Sequence, residues 1–468
     1  MSNKIILKNE NEPDLLSSQN SFTNICLPEE LPILSRRQLL GTGVAIAAHV
    51  SVNKLLLNSV AQAQAIPQYP PQRKLVWIYM RGGWDILESI DPKPSSTGRI
   101  DMPYSWGEAH ALAGSDGSIR TGRWMPGLAQ IGQDVVLLRG LAMGTTSHDA
   151  GTIYMDTGIL SNNGRVNAAS IPSIIASESS ATIPVIQLSG GLEPKTDRGL
   201  LRNVSVVRAE NLDLYRTMYP TNQDMMQRRL RILDYVRDSV TRTQATMGQN
   251  DRLSSIETAE SKIRGQIVNG LGDKLQLSAA DKAPFTADAA ALGQANRMGN
   301  GLTDSFALAL KLIKNDLVTS INMGIGGFDT HSTQDRSLQP LLTGFDSTLK
   351  TFVQELKTAN KLDDTLIVLV SDFGRTPKIN GSNGRDHWPV GGAALIGGGL
   401  AGGRAVGATD DSLLAVGINP DSGLPMSNGV QLNATHLGGA ILELTLGTSY
   451  LSRRPYLTSL PSLTRLKS

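Results

Sequence analysis

Cysteine is all but missing from this sequence. Its 468 residues hold one, Cys26, near the N-terminus. An intrachain disulfide or a multi-thiolate metal site is therefore excluded. An excess of charge of one sign is missing too. Forty-four basic residues against 42 acidic ones leave a formal net charge of +2, which gives no electrostatic grip on nucleic acid. The apolar stretch that follows Leu40 is broken by His49 and Lys54, and so makes a poor membrane span. No internal repeat is evident. Histidine is scarce as well, six in all, so the place of each one carries information.

What is present reads as a folded chain. Hydrophobic content of 40% and charged content of 18% are globular values. The length suits two or three average domains, or one large α/β domain with insertions, and is enough to bury a core without disulfides. The 47 glycines fit many tight turns.

The N-terminus has the build of a leader. Ser35-Arg36-Arg37-Gln38-Leu39-Leu40 is followed by a mildly apolar run that ends in small-x-small sites at Ala61–Ala63 and Ala63–Ala65. This resembles a twin-arginine (Tat) export signal. Residues 1–65 are then a leader with a long polar, disordered start, and 66–468 the mature protein. The expectation is a passenger of the Tat translocase, cut near Ala63 or Ala65 and delivered to the periplasm or the cell exterior. Such a route carries folded proteins, which suits a metalloprotein loaded in the cytoplasm. Without Cys26 the mature chain has no thiol.

Along the mature chain, apolar strands alternate with amphipathic helices. Strands are predicted within Lys74–Asp85, at about 75–81 and closed by glycines and an Asp, from Asp134, at Pro184–Gly191, from Thr319, at Thr365–Asp372 and at Gly392–Gly399. Ser305–Leu317 reads as a helix. A second has Leu338, Leu342, Phe345, Leu349, Phe352 and Leu356 at spacings of three and four, and Leu437–Gly447 reads as a closing helix. Strands apolar throughout imply a mostly parallel sheet covered on both faces. Residues 205–300 show no strand signal and read as an inserted helical cap, or as surface helices of the same layer.

Ligands of open α/β sheets gather at the carboxyl ends of strands. Polar residues of one kind collect there. Asp85 follows the first strand, and Ser147, His148 and Asp149 the second; Asp329 and His331 follow another, and Asp372 ends the next, with Asp386 and His387 on its loop. Three of the five mature-chain histidines lie in these segments. Carboxylates beside imidazoles suit zinc, manganese or iron, with calcium as an oxygen-bound alternative. Converging carboxylates repel unless cations neutralise them, and two ions are a common clamp at phosphorus. Each residue also has a plainer reading. Asp85 could form a turn or cap a helix, Asp329 and His331 could cap the following helix, Asp372 could pair with Arg375, and His148 could be an outer hydrogen-bond donor. His110 reads as an exposed loop residue and His436 as a cap or surface residue.

At these residues "MRGGWD" (Met80–Asp85), "GGFDTH" (Gly326–His331) and "SDFGRTPKINGSNGRDHW" (Ser371–Trp388) resemble the DUF1501 family, over about Lys74 to Leu451. The resemblance implies a branch of the alkaline phosphatase/sulfatase superfamily: a three-layer α/β/α sandwich with a mostly parallel sheet, a helical insertion and a two-metal site. It implies Asp85, Asp329, His331 and Asp372 as metal ligands, and a hydroxyl nucleophile among Thr145, Thr146 and Ser147. The later strand ends in Asp372-Phe373 where the superfamily has Asp-His. His387 or His148 is then the replacement ligand. The sulfatase signature Cys/Ser-x-Pro-x-Arg is absent.

The expected function is an exported hydrolase of phosphate or sulfate esters, acting on a small molecule or glycan. It would use one or two divalent ions, with Ser147 or Thr146 attacking and Arg375 binding non-bridging oxygens. The alternative is a non-catalytic exported metal-binding protein that recognises a glycan or an envelope partner.

Overall fold

The computed structural model describes residues 73–95, 98–161, 168–188, 190–192, 206–208, 222–248, 251–288 and 299–467. The leader, its arginine pair and its cleavage sites lie outside the described residues.

Eight strands form the main sheet: β1 (Lys74–Met80), β2 (Val135–Ala142), β3 (Ile183–Gln187), β4 (Val206–Arg208), β5 (Val318–Ile325), β6 (Thr365–Val370), β7 (Val390–Gly397) and β8 (Arg404–Val406). Their order across the sheet is β8-β2-β7-β6-β1-β5-β3-β4. All neighbours run parallel except β7, which is antiparallel to both β2 and β6. As expected, β1, β5 and β6 are direct neighbours in a mostly parallel sheet. The strand from Asp134 shares that sheet but is separated from β6 by β7. The reason is local: β7 follows β6 after a loop that folds back at the same edge, so it must return in the opposite sense.

The strands are apolar throughout because both faces are covered. On β1, Val76, Ile78 and Met80 pack into one core, while Leu75, Trp77 and Tyr79 pack into the other. That alternation is the two-residue period of a pleated strand. Helix α1 spans His148–Thr157, α2 Ile171–Ser177, α3 Gln223–Met247, α4 Asp251–Val268, α5 Gly299–Lys314, α6 Gln334–Thr358 and α7 Ala434–Leu446. Phe306 of α5 meets Phe345 and Phe352 of α6 in the first core. Ile171 and Ile174 of α2, Ile441 of α7 and Tyr154 of α1 fill the second. The result is a three-layer α/β/α sandwich.

The stretch expected to be wholly helical, 205–300, contains β4 at the sheet edge. Its Val206-Val207 pair is β-branched and lies in register with Val185 and Ile186 of β3. Helices α3 and α4 follow, tied by an ion pair between Arg264 and Asp234 at 2.8 Å. Leu271, Leu275 and Phe285 then join the core that holds Phe306. Among the described residues, no helix is long and apolar enough to cross a membrane.

Candidate metal site at the strand ends

Tight backbone approaches at the carboxyl edge bring the site together. Past β1 the chain turns through Gly82 at φ +109, where a Cβ would overlap the backbone nitrogen of Asp329. Beyond β6, residues 374–388 form a hairpin-like loop. Gly374–Arg375 pairs antiparallel with His387–Trp388, which sets His387 opposite Arg375. The loop crosses His331 at Gly384, where any side chain would collide with the His331 carbonyl group. Asn380 holds the loop. Its Oδ1 accepts from the amides of Ser382 and Gly384 at 3.0 Å each, and its Nδ2 donates to His331 O at 3.0 Å. The carbonyls of Ser382 and Asn383 in turn accept from Thr333 N and Gln334 N at the start of α6, at 3.0 and 2.8 Å. Two amides that a helix start leaves without intrahelical partners are thereby satisfied.

Three imidazoles converge on one carboxylate oxygen. Asp329 Oδ1 lies 3.1 Å from His331 Nε2, 3.6 Å from His387 Nε2 and 3.7 Å from His148 Nε2. His148, Asp329 and His387 offer ligand atoms all within 4.8 Å of one another. His331 Nε2 is 3.0 Å from His387 Nε2. The Nδ1 of each ring faces an acceptor: Asp372 Oδ2 for His148, Asp386 Oδ1 at 2.7 Å for His331, and Thr146 O at 2.8 Å for His387. A carbonyl oxygen can only accept, so His387 Nδ1 carries the proton, and the carboxylates assign the other two rings in the same way. The Nε2 of each ring is thereby turned toward Asp329 Oδ1. Asp329 and His331 are about half exposed, so the cluster opens to solvent.

Charge in the cluster is finely balanced. Burial works to raise the Asp329 carboxyl, but the hydrogen bond and charge of Arg375 outweigh it and hold the group below its ordinary range. Asp386 is held low by its hydrogen bond from His331. Burial lowers His387, against the opposing pull of the Thr146 carbonyl, and the charges of Arg375, His148 and His331 lower it further. His331 Nε2 and His387 Nε2 face each other at 3.0 Å beside the Asp329 carboxylate, an arrangement that a bound cation stabilises. Tetrahedral ligands at bonds of about 2.0–2.1 Å sit about 3.3 Å apart, close to the spacings above. His148 Nε2 is buried and has no hydrogen-bond partner. The residues present therefore fit a divalent ion bound by nitrogen and oxygen.

The sequence-based candidates take different places around this point. Asp329, His148, His331 and His387 face it. Asp372 stands one layer behind: Oδ1 accepts from Gly83 N at 2.7 Å and from Ser371 Oγ at 2.8 Å, and Oδ2 accepts from His148. Asp85 turns away. Its Oδ1 caps the amides of Leu87 and Glu88 at 2.9 and 3.3 Å; Oδ2 takes Gln334 Nε2 at 2.6 Å and pairs with buried Arg385 at 3.1 Å. Arg375 is fully buried and pairs with Asp329 rather than Asp372. It also donates to the carbonyls of Gly82, Gly83 and Arg385. No donor of that fork is directed at an incoming ester. Ser147 is the N-cap of α1 and Thr146 supplies its carbonyl to His387, while both are exposed beside the cluster. His110 is half-buried, with Nε2 3.0 Å from Arg123 O, and Asn433 rather than His436 caps α7. Sequence reasoning missed the outer roles of Arg385, Gln334 and Asp386; the Asp386-His387 adjacency was the one available hint.

Fold and cluster together define an α/β protein with a candidate cation site on the carboxyl edge of its sheet. The chain belongs to the DUF1501 family, described as "Protein of unknown function", which it matches over residues 72–422. A search of curated proteins finds no match. Among solved structures, the chain is similar to the PsFucS1 sulfatase from Pseudoalteromonas sp., at 12% identity and a TM-score of 0.35, covering 77% of this chain and 69% of that one. It is similar to a protein in the alkaline phosphatase superfamily from Vibrio parahaemolyticus, at 12% identity and a TM-score of 0.36, covering 88% and 78%. It is also similar to the C-terminal periplasmic domain of EcEptC from Escherichia coli in complex with Zn, at 8% identity and a TM-score of 0.36, covering 81% and 84%. Likeness at this distance carries neither a residue role nor an activity across.

Proposed function

We propose that this protein is an exported metal-dependent hydrolase of phosphate or sulfate esters, working at the cluster of His148, Asp329, His331 and His387. The observation that supports it is the convergence of three Nε2 atoms on Asp329 Oδ1, each ring being oriented by an acceptor on its other nitrogen. Zinc, manganese or iron suits such a donor set. An ion held there supplies Lewis-acid polarisation of an ester oxygen and lowers the pKa of a hydroxyl or water beside it. The protein's own part is orientation. Asp372, Asp386 and the Thr146 carbonyl fix the rings, and the Ser147 hydroxyl lies one residue before His148, at the solvent-facing start of α1. Ser147 or Thr146 is the candidate nucleophile, and the substrate is a small-molecule or glycan ester that can enter a half-open site. Export through the Tat translocase, to the periplasm or beyond, belongs to the same reading; replacing both Arg36 and Arg37 by Lys would abolish it.

One observation favours the second reading, a non-catalytic metal-binding protein with a glycan or envelope partner. Arg375, expected to hold ester oxygens, is sealed inside the fold. Metal analysis of the purified protein, followed by a panel of phosphomonoesters, phosphodiesters and sulfate esters, separates the two. Metal with turnover supports the hydrolase. Metal without turnover on any ester moves the protein to the second reading.

A further inference from the structure

We infer that the cluster holds one divalent ion rather than two, and that the buried Arg375 guanidinium is the fixed second positive charge of the site. The inference rests on reading the cluster as a metal site, and it follows from counting oxygens. A second ion beside the first would need the carboxylates at the ends of β1 and β6. Both are already committed. Asp372 receives Gly83 N–H, Ser371 Oγ–H and His148 Nδ1–H. Asp85 receives two backbone amides and the Gln334 side-chain amide, and forms an ion pair with Arg385. Each is within 3% of complete burial. Neither has an oxygen turned to the cluster and free of a donor.

The space beside the cluster is closed in a second way. Phe373 is buried, and its ring centroid lies 4.6 Å from that of His148 and 4.5 Å from that of His387. It presents a hydrocarbon wall where another ion would need nitrogen or oxygen donors. Against Asp329 Oδ1 stands Arg375, its guanidinium seated on three backbone carbonyls and on the Asp329 carboxylate. That seat matches what a cation asks for, oxygens from several chain segments converging on one point, and a guanidinium fills it permanently. Arg375 thus neutralises Asp329 at Oδ1, the oxygen that the three imidazoles also approach, and supplies a fixed positive charge beside a single ion.

The test is a metal titration of the full-length purified chain with zinc and with cobalt(II), read by mass spectrometry of bound metal and by the cobalt absorption and paramagnetic resonance spectra. Saturation at one equivalent per chain, with no coupling between cobalt ions, is the expected result. Two equivalents, or a spin-coupled cobalt pair, would overturn the inference while leaving the hydrolase reading in place. No bound metal would overturn both. One equivalent without ester turnover would remove the hydrolase reading alone. Phe373→His, checked for folding by circular dichroism, adds an imidazole next to the cluster. It should still bind one equivalent, because the carboxylates and the Arg375 seat remain occupied; a second equivalent there would refute the role given to Arg375. The unmodified protein decides the ion count by itself if that variant does not fold.

Discussion

His148 Nδ1 hydrogen-bonds to Asp372 Oδ2, across 224 residues of sequence. Two residues past the end of β6, a buried carboxylate aims an imidazole. Asp372 is anchored by Gly83 N and Ser371 Oγ, so it is a rigid acceptor. An acceptor behind a ligating histidine fixes the tautomer and raises ligand basicity.

Replacing Asp372 by Asn should therefore weaken metal binding by about 10–100-fold without changing the number of ions bound. Competition with a chromogenic chelator measures this directly. Unchanged affinity would show that His148 needs no orienting carboxylate. Loss of all metal, with the fold intact, would make Asp372 a ligand in its own right.

Asp85→Ala should act on stability rather than on metal. It leaves Arg385, which is fully buried, without its counter-charge. Breaking a buried pair in this way costs about 3–5 kcal/mol. Urea unfolding should show that loss, while metal stoichiometry stays at the wild-type value. A variant of normal stability that no longer binds metal would reinstate Asp85 in the ligand set.

Asn380→Ala should loosen the loop that carries His387. Four hydrogen bonds depend on this side chain: two from loop amides, one to His331 O and one to Asp386 Oδ1 at 3.2 Å. Amide exchange at Ser382 and Gly384 is expected to speed up by about tenfold or more, in line with about 1–3 kcal/mol for polar groups left unpaired, and metal affinity should fall with it. Equal exchange rates in mutant and wild type would mean that the Arg375–His387 backbone pairing holds the loop alone.

Asp346 gives a pH dependence whose sign can be worked out. Its carboxyl accepts from Gly127 N at 2.5 Å and Leu128 N at 2.7 Å, yet burial pushes it up to about 7 from an ordinary 3.8. Between those values the folded chain holds a proton that the unfolded chain has released. Stability then falls as pH rises through this window, by an amount on the order of a few kcal/mol, and is greatest below the lower value. Asp346→Asn should flatten the slope between about pH 4 and 7 in thermal or urea unfolding. Parallel slopes for the two proteins would show that the two amides keep the group ionised.

Much of the fold was legible in the sequence because its signals are local. The unbroken apolar runs at Leu75–Met80 and Leu366–Val370 announced a sheet covered on both sides, and the spacing from Leu338 to Leu356 announced the long helix α6. The small strand Val206–Arg208 was not legible, because three residues are too few for a period to show. Its pairing with β3 decides it.

The site divides along the same line. The sequence by itself determined which side chains stand at the carboxyl ends of the strands, since a run of apolar residues that stops at a polar one marks the end of a buried strand. It therefore placed Asp85, His148, Asp329, His331, Asp372 and His387 at one edge. Only the tertiary structure decided which of them face a common point. A carboxylate whose two oxygens both hold buried donors has none to offer an ion, and those donors come from far along the chain: Gln334 to Asp85, and Gly83 and His148 to Asp372. Where each lone pair is spent depends on close packing between segments that the sequence leaves hundreds of residues apart, and a sequence pattern carries no distance.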